Sequence, residues 1–581
     1  MKFEPLSGGK GCSLLSAVPG PDLAAAGYTE TEYAASGSVE GLTPDGPVAA
    51  ADFTTRVLVR RPADDVAFNG TVVVEWLNVS SGNDAPAEYT YVAPELVRGG
   101  YAWVGVSAQF TGVEGGSGSV GIGGDSLATK DPDRYGTLHH PGDAYCHNMF
   151  AAIADAVRTA DPLAGLTVEK VLAVGESQSA MALTTYVNTF AAAHGVFDGF
   201  LIHSRALAGL PLGPVGAGVD VTDTFRGAAT PIHAGVRVPV FTVQTETDLL
   251  TNFRYHRARQ PDSDLVRTWE VAGSAHADLH QVGPFEEYLG CSDPVNRGQQ
   301  RFVLRAALRH LNTWVREGTA PPVAAPLSVG TTLLGQETTE PFFDVDDLGN
   351  VVGGVRTPCV EAPTQVLSGI VPDAISRICM LFGSTAPIPD DALLARYGTR
   401  EAYLATYRSH TDAAIAAGFA LLDDLDEASL AGLVSLLTYE HRSKDAPPAP
   451  WFPSRLVRER ATQIDQIAQK LVRDEAKAGI PATRLPDPTF LALAYAWAAG
   501  ESFDVVIADE DLSGGDFVRN VKQLIDLLRQ IGEVAPVEAT RTTARAAADR
   551  LYRGIIAASS EVSGHGEAGM AEGSSPAGTA P

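Results

Sequence analysis

The sequence predicts an α/β fold, a mostly parallel central sheet with helices on both faces, followed by an all-α helical C-terminal domain. Three observations carry that expectation. Between residues 56 and 314 short β-branched runs alternate with amphipathic stretches, the pattern of parallel strands joined by helical crossovers. Within that region the apolar run Val171-Leu172-Ala173-Val174 leads into Gly175-Glu176-Ser177-Gln178-Ser179, which reads as a strand delivering a serine onto a sharp turn. From Leu425 onward the text changes to long segments of helical periodicity.

Taken in order, buried strands are expected at residues 55–60, 71–77, 102–107, 170–174, 199–203, 238–245 and 267–271, with a helix at 145–159. In such a sheet the loops at the strand C-terminal ends carry the site. The glycine-rich segments 112–124 and 210–218 read as mobile surface loops rather than phosphate cradles, since no G-x-x-x-x-G-K-[ST] motif occurs. Residues 321–354 and the proline cluster 447–453 read as linkers or domain-edge connections. The organisation is then a first domain over 1–424, a helical domain over 425–560, and a disordered Gly, Ser, Ala, Glu and Pro tail over 561–581.

With 581 residues the chain is too long for one compact core, and 45% apolar with 19% charged residues is ordinary for a soluble globular protein. A formal charge of -27 repels nucleic acid and anionic membranes at long range. The acid excess is concentrated before about residue 425, which again suggests two differently built halves. The five cysteines (Cys12, Cys146, Cys291, Cys359 and Cys379) show no C-x-x-C spacing, so reduced thiols are expected. The N-terminal residues lack a sustained apolar core, and no window approaches the roughly 18 apolar residues of a membrane span. A cytoplasmic protein is expected.

A serine hydroxyl is a weak nucleophile at neutral pH, so acyl transfer needs a base to take its proton and an acid to orient that base. Ser177 is the candidate nucleophile, with the small residues Gly175 and Ser179 two positions to either side, as the tight turn demands. The strand at 238–245 runs into Glu246-Thr247-Asp248, where Asp248 is the first choice for the acid and Glu246 the alternative. The strand at 267–271 is followed by Gly273-Ser274-Ala275-His276, which offers His276 as the base, with His280, His139, His140 and His147 as competitors. Serine, acid and histidine thus fall in one chain order. Charge on the carbonyl oxygen needs two backbone donors, each worth about 3 kcal/mol. Gln178 N–H is the first, and Asn78 or Val79 supplies the second unless Asn78 serves as an Asx-type cap of the strand end. That chemistry needs no cofactor, and no H-E-x-x-H motif suggests a metal.

Several separated blocks, VVVEWLNVSSG, GYAWVGVSAQFTGVEG, DPDRYGTLHHPGDAY, GESQSA, QTETD, WEVAGSAHAD and GGVRTPCVEAP, together resemble the α/β-hydrolase-domain family of esterase-like proteins from bacteria and fungi. The resemblance covers roughly residues 3–422. It implies the α/β-hydrolase fold, a Ser177, His276 and Asp248 (or Glu246) triad, and a small-molecule ester or related acyl compound as substrate, without naming one.

The second half reads differently. In LDEASLAGLVSLLTYEHR, LALAYAWAAGESFDVVIADEDLSGGDFVRNVKQLIDLLRQI and AADRLYRGIIAASSEV, apolar residues such as Phe517, Val521, Leu524 and Leu528 recur at helical spacing, with Ser513 and Asp516 as capping candidates. These segments resemble the DSHCT domain at the C-terminal end of exosome-associated helicases, particularly actinobacterial ones. That resemblance implies a nucleic-acid partner as the alternative function, but Asp509-Glu510-Asp511 does not match a DExH box, so ATP-driven unwinding is not expected. The join falls near residues 423–426 with no linker composition.

Overall fold

The computed structural model describes residues 1–425 except 17–19, 121–122, 160, 164, 284–288, 334–335, 373 and 375. The expected helical domain beyond residue 425, the 447–453 cluster and the 561–581 tail lie outside the described residues. The chain divides into two units, and of the described residues the first holds 1–388 with 405–425, the second 389–404. Within the second, helix Asp390–Tyr397 packs Tyr397 edge-on against Tyr403.

The centre of the first unit is a nine-stranded sheet. In chain order the strands are β1 (Lys2–Pro5), β2 (Tyr28–Thr43), β3 (Gly46–Pro62), β4 (Thr71–Trp76), β5 (Ala102–Val106), β6 (Lys170–Glu176), β7 (Gly199–His203), β8 (Val240–Thr245) and β9 (Val266–Val271). They lie side by side as β1-β2-β3-β5-β4-β6-β7-β8-β9. From β5 to β9 every neighbour is parallel, while β1, β2 and β3 form an antiparallel edge. All seven expected strands are present within two residues at most bounds. The exception is 55–60, the buried end of a 17-residue strand that pairs along its length with β2. The rest of that ribbon is silent in the hydrophobic pattern because it mixes Ala, Gly, Ser and Glu, half exposed, instead of β-branched runs.

Strand side chains alternate between two cores, and the alternation is legible residue by residue. Val72, Val74 and Trp76 of β4 face one core with Val171 and Ala173 of β6, while Val73, Leu77, Leu172 and Val174 face the other. Helices α1 (Ala87–Arg98), α2 (Cys146–Ala156), α3 (Gln178–Thr189), α4 (Glu246–Leu250) and α5 (Gln300–Glu317) join or flank these strands. Met149, Phe150 and Ile153 of α2 and Met181, Leu183 and Tyr186 of α3 cover the first core, whereas Val92 and Leu96 of α1 and Leu304, Leu308 and Leu311 of α5 cover the second. Each such side chain contributes about 1.5–3 kcal/mol on burial. The β4 to α1 connection is tied by Glu75, whose carboxylate accepts the Glu88 and Tyr89 N–H groups of α1 and the Trp103 indole N–H.

Three expectations need correction. Of the two readings of segment 321–354, linker or domain-edge connection, the linker does not hold. The segment packs along β9, where Trp269 Nε1 donates to Pro322 O (2.8 Å) and Glu270 accepts Leu327 N–H (2.7 Å), and it carries a hairpin of Val329–Leu333 with Gln336–Phe343. Segment 112–124 is more ordered than its glycines suggest, because Gly115–Ser117 pairs with Gly123–Asp125. The thiols are not all reduced, since Cys291 and Cys379, 88 residues apart, form a disulfide, with Cys12, Cys146 and Cys359 free. Tertiary proximity, invisible in spacing, made that pair. No helix among the described residues is long and apolar enough to cross a membrane. At the start of the expected join, Asp424 is buried and pairs with Arg98 and Arg305, and Asp423 pairs with Arg309, so the first unit holds its chain as far as residue 424.

Candidate active site

β6 ends at Glu176 and α3 begins at Gln178, leaving Ser177 alone on the turn at φ 63° and ψ -118°. Positive φ is costly for a residue with a Cβ and persists only where the surroundings impose it. Here Ser177 N–H donates to His203 O (2.9 Å) from the neighbouring β7, and a Cβ on Gly175 would meet Ser179 Cβ at 2.9 Å and Leu183 Cδ1 at 3.2 Å. Glycine is the residue that fits, which gives the small-residue rule read from the sequence its steric cause.

β8 ends at Thr245, whose side chain caps α4 while the carboxylate of Asp248 reaches back. Asp248 Oδ2 accepts both Thr245 N–H (2.8 Å) and Thr245 Oγ1–H (2.7 Å), leaving Oδ1 2.6 Å from His276 Nδ1. His276 stands in the loop after β9, with its backbone N–H on Thr247 Oγ1 (3.2 Å) and its ring against Phe253 at 4.5 Å between centroids. Its Nε2 lies 2.7 Å from Ser177 Oγ. The alternative acid, Glu246, points elsewhere. It is fully buried and accepts Gly273 N–H (2.6 Å) and Gly369 N–H (2.8 Å), and burial pushes its carboxyl up to about 7 despite those two donors. The T-x-x-D capping box was the signal in the sequence that separates the two carboxylates, because it aims Asp248 back over the helix start.

The competing histidines are placed apart from the serine's hydrogen bond. His140 is buried with Nε2 on Ala108 O and Nδ1 accepting Gly142 N–H, a loop-bracing role. His147 stacks on Phe190, and burial lowers its imidazole to about 4. His280 Nε2 bonds Thr90 O, and His139 meets Glu114 while well exposed.

Gln178 N–H sits at the first position of α3, where helical N–H groups lack an intrahelical acceptor. Asn78 and Val79 diverge. Asn78 N–H is donated to Ala85 O (2.9 Å), its Nδ2 to Glu176 O (3.0 Å), and its Oδ1 accepts Ser80 N–H (2.8 Å), so the expectation of an oxyanion donor there is corrected to an Asx-type brace. Val79 N–H makes a longer bond, 3.3 Å, to Gln178 Oε1, placing it beside the elbow.

Ser177 and His276 open onto a cavity of about 490 Å³. Met181, Phe225, Phe253, Val282, Leu381 and Phe382 give it an apolar lining. Its far wall, 377–382, comes from a segment that carries no distinguishing sequence signal. That wall is held by Ala277 N–H on Leu381 O (3.1 Å), Asn296 N–H on Phe382 O (2.9 Å) and the Cys291–Cys379 disulfide.

Strand order, elbow and carboxylate–histidine–serine alignment at the strand C-terminal ends define the class, an α/β-hydrolase fold. A family model described as an alpha/beta hydrolase domain matches residues 3–429, and the chain belongs to that family. A second model, the DSHCT (NUC185) domain, matches residues 415–559. Over that region the chain is 34% identical across 145 residues to "Probable helicase HelY" of Mycobacterium tuberculosis, a match covering 23% of this chain and 16% of the helicase. The helicase HelY match in Mycobacterium leprae is 34% identical over 143 residues, with the same coverage. The chain thus spans about a sixth of the length of the curated relatives it matches. Similar solved structures include a Rhizomucor miehei esterase (12% identity, 52% of this chain and 87% of that chain, TM-score 0.29). Another is the Pyrococcus furiosus esterase Pf2001 (12% identity, 45% and 88%, TM-score 0.23). Likenesses this distant add nothing to the fold already read from the sheet.

Proposed function

We propose that the first domain is a serine hydrolase that cleaves a carboxylic ester through an acyl-enzyme. The observation that carries this reading is the hydrogen-bonded line from Asp248 through His276 to Ser177, at 2.6 and 2.7 Å, with the serine on a positive-φ turn. Ser177 Oγ attacks the ester carbonyl while its proton passes to His276 Nε2, and Asp248 holds Nδ1–H and the imidazolium that forms. Collapse of the tetrahedral intermediate returns that proton to the leaving alcohol. Water, deprotonated by His276, then releases the acid and restores the serine. Gln178 and Val79 N–H groups receive the oxyanion charge. Val79 becomes free for this once the 3.3 Å bond to Gln178 Oε1 yields.

The test is labelling of the full-length protein with a fluorophosphonate probe beside hydrolysis of p-nitrophenyl esters, for wild type and Ser177→Ala. Labelling and turnover that both vanish in the variant support the reading, and a well-folded wild type with neither overturns it. A second reading, association with nucleic acid through the C-terminal domain, is favoured by the DSHCT match and the helicase relatives. Anisotropy of labelled single-stranded RNA at low salt checks it, and the overall charge of -27 opposes it.

A further inference from the structure

Among the residues bordering Ser177, Glu176 has no part in the proton relay just described. It is 3% exposed, lines the cavity, and precedes the nucleophile directly in the chain. Its Oε2 accepts Gln281 Nε2–H at 2.8 Å, and among the described residues this is the hydrogen bond its side chain receives. A carboxylate offers about four lone-pair sites, so one donor leaves it with acceptor capacity in a mainly apolar cavity, whose other polar lining residues include Ser80, Ser119, Asn252 and Arg377. The two amide side chains flanking the elbow, Asn78 and Gln178, are already committed. Asn78 spends Nδ2 on Glu176 O and Oδ1 on Ser80 N–H, while Gln178 Nε2 donates to Gln109 Oε1 and its own Oε1 accepts Val79 N–H. Gln281 itself is held by Tyr91 OH at 3.4 Å. Burial raises the Glu176 carboxyl, and the nearby His276 and His203 pull it back, so its charge is most favourable when a donor arrives.

Building on the serine-hydrolase reading, we propose that Glu176 is a substrate-binding residue that accepts a hydrogen bond from a donor, a hydroxyl or ammonium group, close to the scissile carbonyl of an ester whose body is apolar. The apolar part occupies the space among Met181, Phe225, Phe253 and Phe382, and the donor meets Glu176 beside Ser177. A site built to bond a substrate donor discriminates strongly against the analogue that lacks it, because the buried acceptor is then left short of a partner.

The experiment compares kcat/KM for p-nitrophenyl octanoate, its 3-hydroxy analogue and its 3-amino analogue, using full-length wild type, Glu176→Gln and Glu176→Ala. Fluorophosphonate labelling of Ser177 reports an intact site in each. The wild type is expected to prefer one donor-bearing ester by tenfold or more, and which one it prefers assigns hydroxyl or ammonium. Glu176→Ala should bring the three within about twofold, and Glu176→Gln should reduce the preference even if the alanine variant fails to fold. Equal wild-type values overturn the proposal. So does equal slowing of all three esters in labelled variants, which would place Glu176 behind His276 rather than against substrate. A wild type that neither labels nor turns over any ester removes the hydrolase reading itself.

Discussion

At the ends of β6, β8 and β9, Ser177, Asp248 and His276 are each held by hydrogen bonds within the sheet's own connections, whereas the wall across the cavity, residues 377–382, comes from chain added after α5. Ser177 hangs from His203 O, Asp248 from Thr245, and His276 from Thr247. Leu381 and Phe382 hang from two backbone bonds and a disulfide that joins segments 88 residues apart. The difference separates two jobs. Chemistry needs sub-ångström placement, which paired parallel strands provide, while pocket shape can be set by an appended segment and changed without disturbing the relay.

The largest test of that separation lies on the floor. Asp248→Asn should lower kcat by about 10⁴-fold, because the imidazole loses the partner that sets its tautomer, whereas Glu246→Gln should retain fluorophosphonate labelling and most turnover. Glu246→Gln acts on stability instead, costing about 1–3 kcal/mol as one of the Gly273 and Gly369 N–H groups loses its carboxylate, measurable by urea denaturation. Equal activity loss in the two variants would break the distinction between the carboxylates.

On the wall, replacing both Cys291 and Cys379 by alanine should cost up to about 4.6 kcal/mol of stability through the freed loop. Turnover of long-chain esters should fall more than that of acetate. Parallel loss on every ester would instead tie wall and floor into one unit. Phe382→Ala should be milder still, lowering kcat/KM for p-nitrophenyl octanoate by about tenfold with acetate nearly unchanged.

The smallest effect is a pH dependence beneath the floor. Burial beside Glu88 pushes Glu75 up to about 8, well above its ordinary 4.5. Between those values the folded protein binds more protons than the unfolded chain, so this contribution is present at low pH and is lost as pH rises from about 4.5 to 8. Glu75→Gln, which imitates the protonated form, should flatten the decline in melting temperature over that window. An unchanged slope would mean that the three donors on Glu75 keep it charged.

Much of this fold is legible in the chain because it is local. Parallel strands buried on both faces write themselves as apolar runs, so 71–77, 170–174 and 199–203 are readable, and the elbow's small residues follow from sterics within five positions. The β2–β3 ribbon, half exposed and poor in β-branched residues, leaves no comparable trace. The packing of 321–354 on β9 is masked by its Pro, Thr and Gly content, since composition reports backbone preference and not what the segment lies against.

Local sequence settled the strand order along the chain, the Ser, acid, His succession and the candidates for each role, because period, turn chemistry and spacing act over a few residues. It took tertiary packing to bury Glu246 against Gly273 and Gly369, to tie Asn78 to Ala85 and Glu176, to join Cys291 to Cys379 and to bring 377–382 across from Ser177. Each of those outcomes depends on which groups distant in the chain come within a few ångströms. That distance is set by how the sheet and its connections pack, and no local pattern encodes it.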